Sequence, residues 1–254
     1  MQLPLKYILL LIFIYFFASG NTFSQQENQP ISTGEQVLYR NEYHGGALIH
    51  TNGFGVFFRK GVHKTYKIKQ FWELDLVNMK HPKEVRSTNP FIESAKGYVY
   101  GKENSLTVLR AGYGQQRVIS QKDKRRGVEV RYLYYGGASL GFLKPIYLEI
   151  INLTPTQERF ISTEKYNSEE HRIDNIYGRA PFTRGISELR IRPGAYAKFG
   201  LNFEYSGLDD VVKQIETGVV LDAYLRDVPM MAFNTNRQFF LSFYLAFALG
   251  ERSF

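Results

Sequence analysis

The chain has no cysteine among its 254 residues. Without cysteine there is no disulfide framework, no thiolate metal site, no cysteine nucleophile and no lipoprotein anchor. Proline is scarce, with 9 residues, and tryptophan occurs once, whereas 20 Phe, 18 Tyr and 22 Gly are present. Plentiful aromatic residues and glycine favour a β-rich protein and argue against a coiled coil or a disordered chain.

A long apolar run is also missing, since no segment reaches the about 18 consecutive apolar residues typical of a membrane-spanning helix. The run at 7–17 has eleven residues, follows Lys6 and precedes the small residues at 18–20. This three-part pattern predicts a cleaved secretory signal peptide, which we place at residues 1–24.

Most of the remaining sequence alternates between large apolar residues and polar or small ones. In 239–249 every odd position is Phe or Leu, whereas the even positions are mixed and mostly smaller. A period of two is typical of a β-strand with two different faces. The same pattern predicts strands at 47–60, 66–79, 104–120, 127–143, 194–206 and 211–226.

The connections between these segments alternate in length. They are short at 61–65, 121–126 and 207–210, and long at 80–103, 152–192 and 227–237. Bacterial outer-membrane barrels alternate in this way, with short periplasmic turns and long external loops. An eighth strand is then required, and we place it at 36–43, before a turn at Gly45–Gly46. The expected fold is all-β: a transmembrane antiparallel up-and-down β-barrel over 36–254, preceded by a short periplasmic segment at 25–35.

A soluble β-sandwich or a lipocalin-like barrel would show the same alternation with its apolar face turned inward. The polar faces carry six bases and six acids, which suit ion pairs inside a narrow lumen, but a solvated outer face would look similar. The signal peptide, the alternating loop lengths and the terminal Phe254 favour the membrane barrel. The candidates for these ion pairs are Glu73, Asp75, Arg110, Glu129, Arg131, Lys198, Glu204, Glu216 and Asp222, together with Arg59, Lys67 and Lys69. We expect their side chains to fill the lumen.

Four features of the sequence point to one group of proteins. They are the signal ending near Phe23-Ser24-Gln25, the Tyr- and Phe-rich strands, the segment His50–Gly55 and the closing segment 239–247. Together they resemble the small outer-membrane β-barrel proteins of Bacteroidota over the whole mature chain. The terminal Phe254 resembles the β-signal that the barrel-assembly machinery reads. The resemblance implies the outer membrane as location, and its lipid and the assembly machinery as partners.

Catalytic motifs are scarce. Ser139 lies in a Gly-x-Ser-x-Gly pattern, but within an alternating strand and not at the strand-to-helix turn of a nucleophile elbow. The five histidines lack helical metal-binding spacing, so we expect neither a metal nor a cofactor. We expect no enzyme, although a lipid-modifying enzyme stays a third hypothesis. That hypothesis needs His50 or His171 beside a carboxylate, with a hydroxyl within reach.

Two long loops carry aromatic side chains beside basic residues, the types that anchor protein interfaces. The candidate partner-binding residues are Tyr177, Arg179, Pro181 and Phe182 in one loop, and His81 and Phe91 in the other. These loops either close the barrel mouth or bind an envelope protein, and the sequence leaves both interpretations open.

The sequence thus predicts a structural or accessory subunit of an envelope complex for secretion or barrel assembly. A small porin-like channel is the alternative, and it needs an open lumen, which a barrel of about eight strands seldom leaves. Nucleic acid is not an expected partner of an exported protein. The basic run Lys122–Arg126 suits a turn beside an anionic membrane surface or an ordinary solvated hairpin turn.

Overall fold

Antiparallel strands close into a barrel in the computed structural model, which describes residues 41–65, 67–120, 127–153, 158–205 and 211–253. The described residues form thirteen strands: β1 (Asn41–His50), β2 (Gly53–His63), β3 (Ile68–Met79), β4 (Arg86–Ser87), β5 (Tyr98–Val99), β6 (Asn104–Ser120), β7 (Glu129–Pro145), β8 (Tyr147–Leu153), β9 (Arg159–Lys165), β10 (Ile176–Arg179), β11 (Arg190–Glu204), β12 (Val211–Val228) and β13 (Arg237–Ser253).

Eight of these strands make the barrel, in the order β1-β2-β3-β6-β7-β11-β12-β13, and β13 pairs with β1 to close it. Each strand is antiparallel to both neighbours. The predicted all-β up-and-down barrel is therefore confirmed. Strand β6 has the predicted bounds, and β13 extends the predicted 239–249 at both ends. At the two ends of β13 the alternation of apolar and polar residues is weaker, because polar residues occupy both faces of the strand.

The first strand differs from its prediction. Within the described residues it begins at Asn41, ends at His50 and turns into β2 at Thr51–Asn52, so the predicted turn at Gly45–Gly46 is wrong. Gly46 lies in mid-strand, where an added Cβ would sit 1.8 Å from the Phe247 carbonyl oxygen. Glycine is needed there because the two strands that close the barrel approach each other closely, and not because the chain reverses.

The wall of the barrel is apolar outside and charged inside. On β13 the outward side chains Phe239, Leu241, Phe243, Phe247 and Leu249 are 52–64% exposed. Outward Phe and Leu side chains on β2, β3 and β11 are exposed in the same way. This surface far exceeds the apolar patches that soluble monomers leave in water. The wall therefore faces lipid, and the soluble alternative with its apolar face turned inward is wrong.

The long connections fold into a cap at one end of the barrel. Strands β8, β9 and β10 form a three-stranded sheet, and β4 pairs with β5. The region 152–192, predicted as a loop, thus contains strand structure and a 3-10 turn at Ile186–Glu188. Its strands form because Leu148, Ile150 and Ile176 are buried together in a second hydrophobic core. None of the described residues forms a helix long and apolar enough to cross a membrane.

The other predicted segments lie outside the described residues. They are the signal peptide at 1–24, the periplasmic segment at 25–35, residues 36–40 of the predicted first strand and the terminal Phe254. These stay predictions.

Candidate functional site

Five charged side chains fill the middle of the lumen. Arg59 on β2 donates from Nε to Glu73 at 2.6 Å, and from Nη1 and Nη2 to Glu216 at 2.5 and 2.8 Å. Lys198 on β11 donates to Glu73 at 2.8 Å and to Asp75 at 2.6 Å. All five side chains are at most 3% exposed. Two bases thus hold three acids contributed by β3 and β12.

A second group lies toward the cap, and it contains Arg110 on β6 and Asp222 on β12. Arg110 donates two hydrogen bonds, one from Nε and one from Nη2, to the Asp222 carboxylate. Arg110 Nη1 also lies 3.8 Å from Asp75 Oδ2, which links this pair to the central group.

A third group lies toward the chain termini. Arg131 Nε lies 2.7 Å from Glu129 Oε1, and Arg131 Nη1 lies 2.6 Å from Glu204 Oε2. Lys69 Nζ lies 2.5 Å from Glu42 Oε2. Arg252 contacts both Glu42 and Glu204. Charged side chains therefore pair along the lumen from the terminal end to the cap.

Tyrosines add hydrogen bonds to the central group. Tyr196 Oη donates to Glu73 at 3.0 Å and Tyr244 Oη donates to Glu216 at 2.8 Å. The Arg59 guanidinium lies 4.8 Å from the ring centre of Tyr135. Burying charges away from water is costly unless such partners compensate for the lost hydration, so these contacts help to hold the charged side chains in the packed interior.

All nine principal candidates for lumen ion pairs occupy these three groups, as do Arg59 and Lys69. Lys67 does not, because it is exposed in the turn before β3. Glu42 and Arg252 were missed. Glu42 lies in the predicted strand 36–43, whose poor alternation assigned no face, and Arg252 lies beyond the predicted segment 239–249. Glu42, His44 and His50 are separated by even numbers of residues, and all three point into the lumen. This period of two is the sequence signal that would place Glu42 on the lumen face.

Apolar side chains close the lumen between the ion pairs and the cap. Met79, Leu106, Leu143, Met230 and Met231 are all buried at this level. A cavity between His81, Met230 and Phe240 has a volume of about 10 Å³. That is room for about one water molecule, so side chains fill this part of the mouth.

The cap joins three connections into one folded unit. The Asn89 Nδ2 donates to the Ile176 carbonyl oxygen at 2.8 Å, and the Lys96 backbone N–H donates to the Tyr177 carbonyl oxygen at 3.0 Å. The Ala232 N–H donates to the Gly101 carbonyl oxygen at 2.7 Å. The described residues of 80–103, 146–189 and 229–236 therefore stabilise one another at the mouth of the barrel.

The candidate partner-binding residues all lie in this cap. Phe91 and Phe182 are 77% and 76% exposed. Arg179 and Pro181 are exposed, and Tyr177 is half-buried in β10. His81 is half-buried, with Nε2 2.9 Å from Asn234 Nδ2, and so contributes to loop structure.

The histidines named by the enzyme hypothesis have structural partners. In the cap, His171 Nδ1 accepts from the Asn167 N–H at 3.0 Å, and Nε2 lies 3.2 Å from Glu164 Oε2. Hydrogen bonds from Ser162 and Asn152 lower the pKa of Glu164 below its usual value. Ser162 donates to the same carboxylate and not to the histidine. This arrangement differs from the hydroxyl–imidazole–carboxylate order of a nucleophile relay.

The other two residues of that hypothesis also lie apart from such a relay. Ser139 is buried in mid-strand on the inward face of β7. His50 Nδ1 accepts from the Asn52 N–H at 3.2 Å at the β1–β2 turn. Among the described residues no group of three His, Cys, Asp or Glu side chains is arranged to hold a metal ion.

Comparison with known proteins adds little to this description. No protein-family model matches the chain, and no curated protein matches it either. A solved structure similar to this chain is that of Ail, the attachment invasion locus protein of Yersinia pestis, in complex with the heparin analogue sucrose octasulfate. The two chains are 8% identical, and the alignment covers 84% of this chain and 98% of Ail with a TM-score of 0.41. A likeness this distant carries no argument about function, and the resemblance to Bacteroidota proteins stays a prediction.

Proposed function

We propose that this protein is an integral outer-membrane barrel with a closed lumen whose external cap binds other envelope proteins. It serves as a structural or accessory subunit of a secretion or barrel-assembly complex. One observation carries the proposal: ion pairs and apolar side chains are buried inside the barrel, while the cap is a folded unit with exposed aromatic side chains.

The outer membrane follows from the physics of the wall. A closed barrel satisfies every backbone N–H and C=O group without water, which is why strands cross membranes only as barrels. The signal peptide predicted at 1–24 directs the chain out of the cytoplasm. Barrels of this kind place long loops outside and short turns in the periplasm, which puts the cap on the external side.

A role without catalysis fits the cap better than an enzyme does. His171 and Glu164 are engaged in bonds that hold the loop, and Ser162 has the carboxylate as its partner. The Ser162 hydroxyl donates to Glu164 Oε1 and not to the imidazole, so the serine–histidine bond of a nucleophile relay is absent from this cluster. The proposal therefore includes no substrate, metal or cofactor.

Phe91 and Phe182 are the residues that the proposal assigns to partner binding. Large aromatic side chains that are three-quarters exposed are costly in water and are typical anchors of protein interfaces. Lys144 Nζ lies 4.6 Å from the Phe182 ring centre and donates to the Phe182 carbonyl oxygen at 3.1 Å. The ring is therefore held in place before any partner binds, which lowers the entropy lost on association.

Extraction of the tagged protein from native outer membrane in mild detergent tests this role. We expect a stoichiometric envelope protein with the wild-type chain, and its loss from the variant F91S/F182S. Phe233 is 76% exposed in another part of the cap, so F233S is the matched control and should keep the partner. A wild-type protein that emerges alone would overturn the accessory role.

A further inference from the structure

Aromatic and basic side chains form a continuous patch on the outer wall, at the end opposite the cap. The residues of this aromatic–basic patch are Tyr43, Lys60, Trp72, Tyr113, Arg117, Tyr132 and Tyr134. Register places Tyr43 beside Lys60, Lys60 beside Trp72 and Trp72 beside Tyr113 across four adjacent strands. Arg117 on β6 lies beside Tyr132 on the neighbouring strand β7.

The aromatic rings of the patch border a groove. Trp72 is 66% exposed, and its ring centre lies 5.2 Å from that of Tyr113. Val62, Gln70, Trp72 and Tyr113 line a groove of about 470 Å³ on the lipid-facing wall. Its volume and its mostly apolar and aromatic lining suit an acyl chain.

Among the described residues, no carboxylate forms an ion pair with the cations of the patch. Arg117 is exposed and is held by the hydroxyls of Tyr132 and Tyr134, and no described carboxylate forms an ion pair with it. Lys60 Nζ lies 5.4 Å from the Tyr43 ring centre. Glu251, the outward carboxylate in register with Tyr43, lies on the side of the patch away from Arg117.

Outward polarity changes along β3 at the patch. On the cap side of Trp72 the outward side chains of β3 are Leu74 and Leu76, whereas the next outward side chain on the other side is Gln70. Aromatic girdles lie at both interfaces of membrane barrels, so we assign the rings and the cations to the depth where acyl chains give way to headgroups.

We propose that the aromatic–basic patch is a binding site for an anionic glycerophospholipid. Arg117, held by Tyr132 and Tyr134, binds the headgroup phosphate, and an acyl chain lies in the groove between Val62, Trp72 and Tyr113. The inference rests on the proposed membrane insertion. With the cap outside, the patch lies in the periplasmic leaflet, where the lipids are glycerophospholipids and phosphate is the anion that arginine binds.

Trp72 is the single tryptophan of the chain, so its fluorescence reports on the groove alone. The experiment reconstitutes the full chain in phosphatidylcholine vesicles and titrates phosphatidylglycerol with brominated acyl chains, which quench a nearby indole. Brominated phosphatidylcholine at equal mole fraction measures random contact. We expect apparent affinity for phosphatidylglycerol to be about fivefold higher, the factor expected for one basic residue beside an anionic lipid surface.

Variants distinguish a site from general attraction. R117Q should remove the preference for phosphatidylglycerol, and R117K, which keeps the charge, should retain most of it. Lys213 faces outward at the same end on β12, so K213Q is the matched control and should behave as wild type. Heat-modifiable migration on a gel verifies that each variant folds.

The outcomes separate the site from the membrane proposal. Equal quenching by the two brominated lipids in the wild-type protein would overturn the site while leaving membrane insertion intact. No quenching by either lipid would overturn insertion and the site with it. Relief of quenching by lipid A at lower concentration than by unlabelled phosphatidylglycerol would overturn the assignment to a glycerophospholipid.

Discussion

Arg110 and Asp222 form a doubly hydrogen-bonded ion pair across the barrel, with Nε 2.8 Å from Oδ1 and Nη2 2.7 Å from Oδ2. Arg110 lies on β6 and Asp222 on β12, and two strands of the wall separate them. Both side chains are at most 1% exposed. The pair therefore holds opposite parts of the wall together through the interior, which strand pairing alone does not do.

Removing one partner should be far more harmful than removing both. R110M leaves the Asp222 carboxylate buried without its guanidinium, and we expect the free energy of unfolding to fall by about 3–5 kcal/mol. The double variant R110M/D222L should recover most of that loss, because apolar groups of similar volume often replace a buried pair at little cost. Urea unfolding in lipid vesicles measures both. A double variant as unstable as R110M would contradict the assigned pairing.

Ion conductance should be absent from the wild-type protein in a planar bilayer, because charged groups and the apolar mouth lie in series along the lumen. R59A/K198A removes only the cations of the central group, and M230S/M231S changes only the apolar mouth, so each variant should stay silent. The combined variant should stay silent as well, because the group around Arg131 still fills the terminal end. Adding R131A should give a cation-selective conductance, since the lumen carboxylates then lose their cations. Conductance of the wild-type protein would favour the channel alternative and contradict the closed lumen.

The cap and the barrel have separate cores, so they should lose stability separately. Ile176 is fully buried in the cap core. I176A should destabilise the cap by about 2–5 kcal/mol through the cavity it leaves. Limited proteolysis should then cleave the cap faster, while heat-modifiable migration of the barrel stays unchanged. Ile173, which is 46% exposed in the same connection, provides the control I173A. A lower migration temperature for I176A would show instead that the cores are coupled.

Alkaline pH should open the cap. Burial among the cap residues raises the pKa of the Tyr166 hydroxyl from 10.0 to about 12. Because the folded cap favours neutral tyrosine, this contribution to stability is complete below pH 10 and is lost as the pH rises from about 10 to about 12. Protease sensitivity of the cap should rise over that window in the wild-type protein. Y166F has no hydroxyl to ionise at this position, so its protease sensitivity should rise at a higher pH than that of the wild-type protein. The same midpoint pH in both proteins would show that ionisation of Tyr166 is not the cause.

Alternation with a period of two was sufficient to predict the barrel strands, because lipid outside and a packed lumen inside impose opposite chemistry on successive residues. It failed at β1, where Gly45 and Gly46 suggested a turn. Glycine at 46 is required by contact with Phe247, a residue about two hundred positions later in the chain. The local sequence pattern cannot distinguish a glycine required by a close contact with a distant strand from a glycine required by a turn.

The cap was the other feature that sequence pattern did not resolve. Leu148 and Ile150 alternate as a strand would, but the strand is short, and its partners β9 and β10 are weakly patterned. Whether a long connection folds depends on what it is packed against. Here the packing combines Tyr98, Leu148 and Ile176 from two separate connections.

The amino-acid sequence by itself determined that strands alternate between an apolar and a charged face, and which acids and bases share the charged face. Only the tertiary structure decided which of them pair, because Arg59 reaches Glu216 and Lys198 reaches Asp75 across a closed interior. Closure also decided that the lumen is filled. A barrel of this size brings opposite walls within the length of an arginine or lysine side chain, and a flat sheet with the same sequence pattern would leave these charges in water.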